Sequence, residues 1–244
     1  MNAGGSAVDA RGAAGDARAW LLAIDTATSL VVIAAGTLMG EVIASRSAPA
    51  EHRHGERLLA MIDALVSEAG LELAALGGVI VGTGPGAFTG LRVGLATAKT
   101  LAHELGVPIA GVATGEALLS AGSAIGIAGT YVVLRLPAGP HDRVEVRSGQ
   151  PPRLLPGGST ESGHNGSETA IAVDLTDRAS EADLERGAAA IAGLPASLLR
   201  LGVDRLRGGG DDAATLVPEY VMLPRGVGPG LDVGEGMSWS RDRP

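Results

Sequence analysis

A chain of 244 residues, 45% hydrophobic and 19% charged, excludes a disordered or fibrous polymer and is long enough for one or two packed domains. Zero cysteines exclude a disulfide framework, thiolate metal sites and a cysteine nucleophile, and a net charge of −8 argues against unaided binding to a phosphate backbone. Two Trp, two Tyr and one Phe supply few platforms on which bases could stack.

Residues 1–19 and 226–244 read as disordered tails, small, polar or Gly-rich and without a sustained apolar period. Residues 20–25, 30–35 and 41–45 are short apolar runs separated by turn residues, which predicts an antiparallel meander. A helix follows over 56–69, with Leu58, Met61, Ile62, Leu65 and Ala69 at helical spacing and Gly70 as its stop. Residues 78–82 form a buried-strand pattern that runs into a glycine-rich loop and then a helix from 90 to about 105, with Thr89 available as N-cap. A strand over 107–112 and a short helix over 115–123 complete the clear part of the pattern. Beyond it, 131–136 and 143–147 suggest a hairpin, 149–167 a Pro/Gly/Ser-rich loop, and 169–173 a strand. Two helices are expected over 180–192 and 196–206. Strands alternating with helices predict an α/β chain with mixed sheets, one domain over 20–115 and a smaller one over 116–225. The apolar runs are far shorter than the roughly 18 residues of a membrane helix. Residues 1–19 lack a signal-peptide core, so no membrane contact and a cytoplasmic location are expected.

The most constrained passage is Val79-Ile-Val-Gly-Thr-Gly-Pro-Gly-Ala-Phe-Thr-Gly-Leu-Arg-Val-Gly94. Gly82, Gly84 and Gly86 around Pro85 permit close backbone approach, and the loop feeds a helix N-terminus. Three readings compete. A dinucleotide fingerprint is matched by spacing, but only Glu104, inside a helix, lies where a ribose-binding acid belongs. A Walker loop fails, because Gly90-Leu-Arg stands where Gly-Lys-Ser/Thr is required. The third reading is a tight strand–helix joint. In it Gly90, Gly94, Ala98 and Ala102 form a small-residue ridge, either buried in the chain's own domain or offered to a partner.

Three segments together resemble the TsaB family, the bacterial partner subunit in making threonylcarbamoyladenosine beside the tRNA anticodon. They are Leu22-Ala-Ile-Asp-Thr-Ala-Thr28, His54-Gly-Glu-Arg-Leu-Leu59 and Gly84-Pro-Gly-Ala-Phe-Thr-Gly-Leu-Arg-Val-Gly94. Pro218-Glu-Tyr-Val-Met-Leu-Pro224 is similar to that family's closing segment, whereas the likeness is faint between 126 and 210. The resemblance implies an actin/Hsp70-like (ASKHA) fold of two related domains, each a mixed sheet flanked by helices, with the last segment returning to the first domain. It also implies a non-catalytic subunit without a cofactor. Such a subunit dimerises with the transferase TsaD through helices 56–69 and 90–105, works beside the ATPase TsaE, pairs with itself when alone and meets tRNA only indirectly. Leu58, Ile62, Leu65, Phe88, Leu91, Leu95 and Ala98 are the interface candidates. Spacing leaves open which of them face the chain's own sheet. Gly84, Pro85, Gly86, Thr89, Gly90, Arg92 and Gly94 are the motif-loop residues.

Catalysis finds little support in the residue pattern. His52 and His54 are two apart, which on a helix points them in different directions, so no metal site is expected. ATP-using members of the superfamily carry Asp-x-Gly-Thr/Ser in the first hairpin; here Asp25-Thr-Ala-Thr28 places Ala27 where glycine would let backbone close on phosphate. Asp25, Thr26 and Thr28 are therefore expected to be a vestigial nucleotide site, and the alternative is a small ATP-binding or ATP-hydrolysing enzyme of the same fold. Seven arginines between 135 and 200 are interleaved with acids, which reads as a solvated surface rather than an RNA-binding stripe.

Overall fold

The computed structural model describes residues 20–50, 54–127, 129, 131–158 and 168–221; the expected tails at 1–19 and 226–244, and residues 159–167 of the expected loop, lie outside the described residues. Two mixed sheets form. The first runs in the order β3-β2-β1-β4-β5, from β1 (Trp20–Asp25), β2 (Leu30–Gly36), β3 (Val42–Pro49), β4 (Leu76–Gly82) and β5 (Ile109–Val112). Its first three strands are the antiparallel meander that the turn residues demand, while β4 and β5 add in parallel after helical crossovers. The second sheet, in the order β8-β7-β6-β9, is built from β6 (Tyr131–Ala138), β7 (Asp142–Val146), β8 (Arg153–Leu155) and β9 (Glu168–Ala172).

Alternation along β1 sends its side chains to two separate cores. Trp20, Leu22 and Ile24 face a core closed by α1 (His54–Glu68) and α2 (Phe88–Leu105). Leu21 and Ala23 face a second core that α3 (Thr114–Ala124) and α4 (Glu181–Arg207) share with the inner face of the other sheet, through Leu134, Leu136, Val144 and Ile171. The layers therefore run α1/α2, first sheet, α3/α4, second sheet. A strand covered on both faces reads as a continuous apolar run, which is why residues 20–24 show no polar alternation.

Three expectations are corrected. The two helices expected over 180–192 and 196–206 are one continuous α4 with Pro195 inside it. Burial of Ala190, Leu194, Leu198, Leu199 and Val203 along one side outweighs the hydrogen bond the proline removes. α2 begins at Phe88 rather than Gly90, and Ala87, not Thr89, stands at its N-cap without a side-chain bond. The start is fixed from outside, by the Ala87 N–H donating to the Ala27 carbonyl at 2.7 Å. Finally, β8 lies within the stretch expected to be loop, held by antiparallel pairing of Arg143 with Leu155 and Glu145 with Arg153.

After α4 the chain crosses back to the first sheet. Asp211 forms a bridge with Ile109, its carboxylate accepts from the Gly111 N–H at 2.7 Å, and the Glu219 N–H donates to the Thr83 carbonyl at 2.7 Å. No helix among the described residues is long and apolar enough to cross a membrane.

Candidate functional site: the glycine loop, the first turn and the cleft above them

The β1–β2 turn and the β4–α2 loop are seated directly on each other. A Cβ at Gly86 would lie 2.1 Å from the Ala27 carbonyl oxygen, one at Gly90 2.1 Å from that of Thr26, and one at Gly94 2.2 Å from Thr26 Oγ1. No side chain fits at those separations, so Gly86, Gly90 and Gly94 are explained by close contact with the β1–β2 turn inside the chain. Thr26 Oγ1 donates to the Gly90 carbonyl at 2.7 Å, and Thr28 Oγ1 is within 3.2 Å of the Leu30 backbone. Arg92 is exposed, stacked 5.3 Å above the Phe88 ring, while Thr89 is exposed in the first turn of α2.

Asp25 is fully buried beneath this joint. Its Oδ2 accepts from Thr114 Oγ1 at 2.6 Å and its Oδ1 from the Ala27 N–H at 2.9 Å; Thr114 in turn accepts from the Gly84 N–H at 3.1 Å. Burial pushes the carboxyl up to about 6, with the bonds from Thr114 and Ala27 opposing the rise. Its native pKa thus lies above the unfolded value of 3.8, so the native state holds the proton more tightly and this group's contribution to stability falls as pH rises between those values. Relative to the unsubstituted chain, Asp25→Asn is expected to gain up to about 3 kcal/mol between pH 4 and pH 7, at about 1.4 kcal/mol per tenfold difference in proton affinity, offset at every pH by the acceptor lost to Thr114 or Ala27. The gain should fade towards pH 4, as read from denaturant midpoints across that range. Asp25, Thr26 and Thr28, the three residues expected at a vestigial nucleotide site, thus spend their polar groups on the chain itself.

The interface candidates require correction. Leu58, Ile62, Leu65, Leu95 and Ala98 are buried against the first sheet, and Leu91 is buried under the glycine loop. The ridge of Gly90, Gly94, Ala98 and Ala102 is also internal. Covering one face of a five-stranded sheet uses the whole apolar stripe of both helices. Only Phe88 of the seven reaches the surface, half-buried against Tyr220 with ring centroids 5.1 Å apart. The solvent side of α1 and α2 is carried instead by Leu59, which is 55% exposed, with Ala60, Asp63, Arg92, Ala96 and Thr100.

Above the joint the two sheets diverge around a cavity of about 510 Å³, lined by the β1–β2 turn, the glycine loop, the β6–β7 turn and the Tyr220 segment. A clasp spans it. Asp174, at φ +57°, accepts from the Ser29 N–H at 2.6 Å and from the Ser29 hydroxyl. The sequence carries no signal for this pair, 145 residues apart. A larger concavity of about 900 Å³ lies along α3, between Arg147 and Arg200.

Several arginines of the second half are engaged internally. On the outer face of the second sheet Arg135 and Arg147 each bridge Glu145 and Glu168. Arg178 donates to carbonyls of the β6–β7 turn, and Arg143 to the Arg178 carbonyl. Among the described residues no group of three His, Asp or Glu side chains is placed to hold a metal.

The family model of the tRNA N6-adenosine threonylcarbamoyltransferase TsaD matches residues 37–142. The chain is 35% identical over 104 residues to the tRNA threonylcarbamoyladenosine biosynthesis protein TsaB of Bacillus subtilis, covering 42% of this chain and 44% of that protein. It is 42% identical over 101 residues to an uncharacterised protein of Mycobacterium tuberculosis, covering 40% of this chain and 47% of that one. The match thus spans less than half the length of these curated relatives. The solved structure of YeaZ from Pseudomonas aeruginosa superposes with a TM-score of 0.63 at 24% identity, covering 83% of this chain and all of that one, which establishes a shared fold. With its meander, its two mixed sheets and the glycine loop locked onto the first turn, the chain shares the fold of YeaZ and is similar in sequence to TsaB proteins over about two fifths of its length.

Proposed function

We propose that this chain is a non-catalytic subunit in the biosynthesis of threonylcarbamoyladenosine on tRNA, and that it pairs with a TsaD-type transferase. The carrying observation is the α1/α2 layer. It lies outermost on the first sheet, and Leu59, a large apolar residue, stands more than half exposed on α1, with the small Ala60 and, on α2, Ala96 exposed as well. The TsaB relatives and the TsaD family match supply the chemical setting. A supporting role rather than a catalytic one agrees with the first turn. The acid that handles Mg²⁺ in ATP-using relatives of this fold is here enclosed by Thr114 and Ala27, and glycines from α2 fill the space above the neighbouring backbone.

Mixing the purified chain with the TsaD-type protein of its own organism is expected to give a complex of one copy each by sedimentation velocity. The double substitution Leu59→Asp/Ala96→Asp should weaken it at least tenfold, the loss expected when a central anchor is removed. Both positions are solvent-facing, so the melting temperature should hardly move. Failure of the unsubstituted proteins to associate, or Mg-ATP turnover by the isolated chain that is lost in Asp25→Asn, would replace this reading with the ATP-using one.

A further inference from the structure

The cavity between the two sheets opens above the β1–β2 turn and the glycine loop, and its chemistry is wrong for phosphate. Ala27, Pro85, Leu136, Pro137, Val144 and Val221 make its walls apolar, and the mutually tilted rings of Phe88 and Tyr220 close one side. Among the described residues that line it there is no Lys, Arg or His, and Asp174 carries the one formal charge. The first turn of α2 contributes about half a positive elementary charge at most, which does not offset a full carboxylate. Ser29 takes one contact on each Asp174 oxygen, and a carboxylate has about four acceptor positions, so capacity remains for a donor arriving from the cavity. A volume of about 510 Å³ suits a small organic molecule, not a peptide helix.

We propose that this cavity binds a small amphipathic organic cation. Its apolar or aromatic body lies between the Leu136–Val144 wall and the Phe88/Tyr220 rings, and its amine, amidine or guanidine donates to the Asp174 carboxylate. Each element of the site selects for that class. Apolar walls favour burial of the body, the Tyr220 ring attracts a cation rather than an anion while Arg92 already covers Phe88, and a single acid at the rim pairs it. The site takes one residue, Phe88, from the α1/α2 layer, and the proposal does not rest on pairing with a transferase.

Three probes of one shape separate the alternatives: benzamidine, its neutral analogue benzamide and the anion benzoate, with adenosine monophosphate as a fourth. Chemical-shift titration of the full chain is expected to show saturable benzamidine binding that perturbs Ser29, Phe88, Asp174 and Tyr220. Benzamide should be about tenfold weaker, and benzoate and adenosine monophosphate should be without effect on those residues. Asp174→Asn should weaken benzamidine about tenfold, and Tyr220→Ala, at a ring that is 41% exposed and so safe for folding, by several-fold. The proposal is overturned if benzamidine fails to saturate, if benzoate or the nucleotide binds the same residues as well, or if Asp174→Asn leaves benzamidine unchanged. Should Asp174→Asn fail to fold, the ranking of the four probes on the unsubstituted chain and the Tyr220→Ala result decide it alone.

Discussion

Leu91→Asp is expected to unfold the chain at neutral pH. The Leu91 side chain is 1% exposed, lies under Gly84 of the glycine loop, and would be exchanged for a carboxylate in a buried apolar setting. Burying an unpaired charge, added to the lost apolar contacts, is expected to cost about 4 kcal/mol or more, against a total stability of roughly 5–15 kcal/mol for a domain. Circular dichroism and denaturant titration of Leu91→Asp beside Leu59→Asp give the contrast. The first should be unfolded or aggregated, and the second should melt within a few degrees of the unsubstituted chain. A folded Leu91→Asp with a normal transition would mean that α2 turns its Leu91 side outward. The same comparison protects partner experiments from misreading, because loss of a complex in Leu91→Asp or Leu95→Asp would report on folding alone.

Gly90→Ala tests the joint between loop and turn. In a helix, alanine is favoured over glycine by about 1 kcal/mol, so propensity alone predicts stabilisation. Here the added methyl would sit 2.1 Å from the Thr26 carbonyl oxygen, a backbone atom that cannot swing aside. Relieving that contact requires the turn to retreat, which disturbs the Thr26 hydroxyl bond to Gly90 and the Ala27 bond to Ala87. We expect a net loss of about 3 kcal/mol, with sterics winning over propensity. Ala96→Gly, on the exposed side of the same helix, should lose only about 1 kcal/mol. If Gly90→Ala stabilised the chain instead, the seating of α2 on the first turn would be wrong.

Much of the scaffold is legible in the sequence because local rules and the fold agree. The turn residues between the first three apolar runs specify the meander, and the glycine-proline-glycine loop announces close backbone approach. What escapes has identifiable causes. Helical periodicity reveals which side of α1 is apolar but not what covers it, so Leu58, Ile62 and Leu65 read equally well as core or as interface. Pro195 suggests a break between two helices, and only the shared core on both sides of α4 shows why the helix continues. The residue pattern misplaces the N-cap of α2 because the bond that fixes it comes from Ala27, far earlier in the chain, through backbone that carries no side-chain signature. The Ser29–Asp174 clasp and the apolar lining of the cleft are assembled from segments that neither period nor motif connects.

The return of the final described segment to the β5 edge constrains how the molecule is made. Gly111 and the Asp211 carboxylate that caps it are 100 residues apart. A nascent polypeptide therefore exposes an open strand edge until residue 211 has left the ribosome. Unpaired edges of that kind are templates for association with other chains. Premature termination anywhere between α3 and residue 211 should consequently yield aggregating fragments rather than a soluble, working half-molecule.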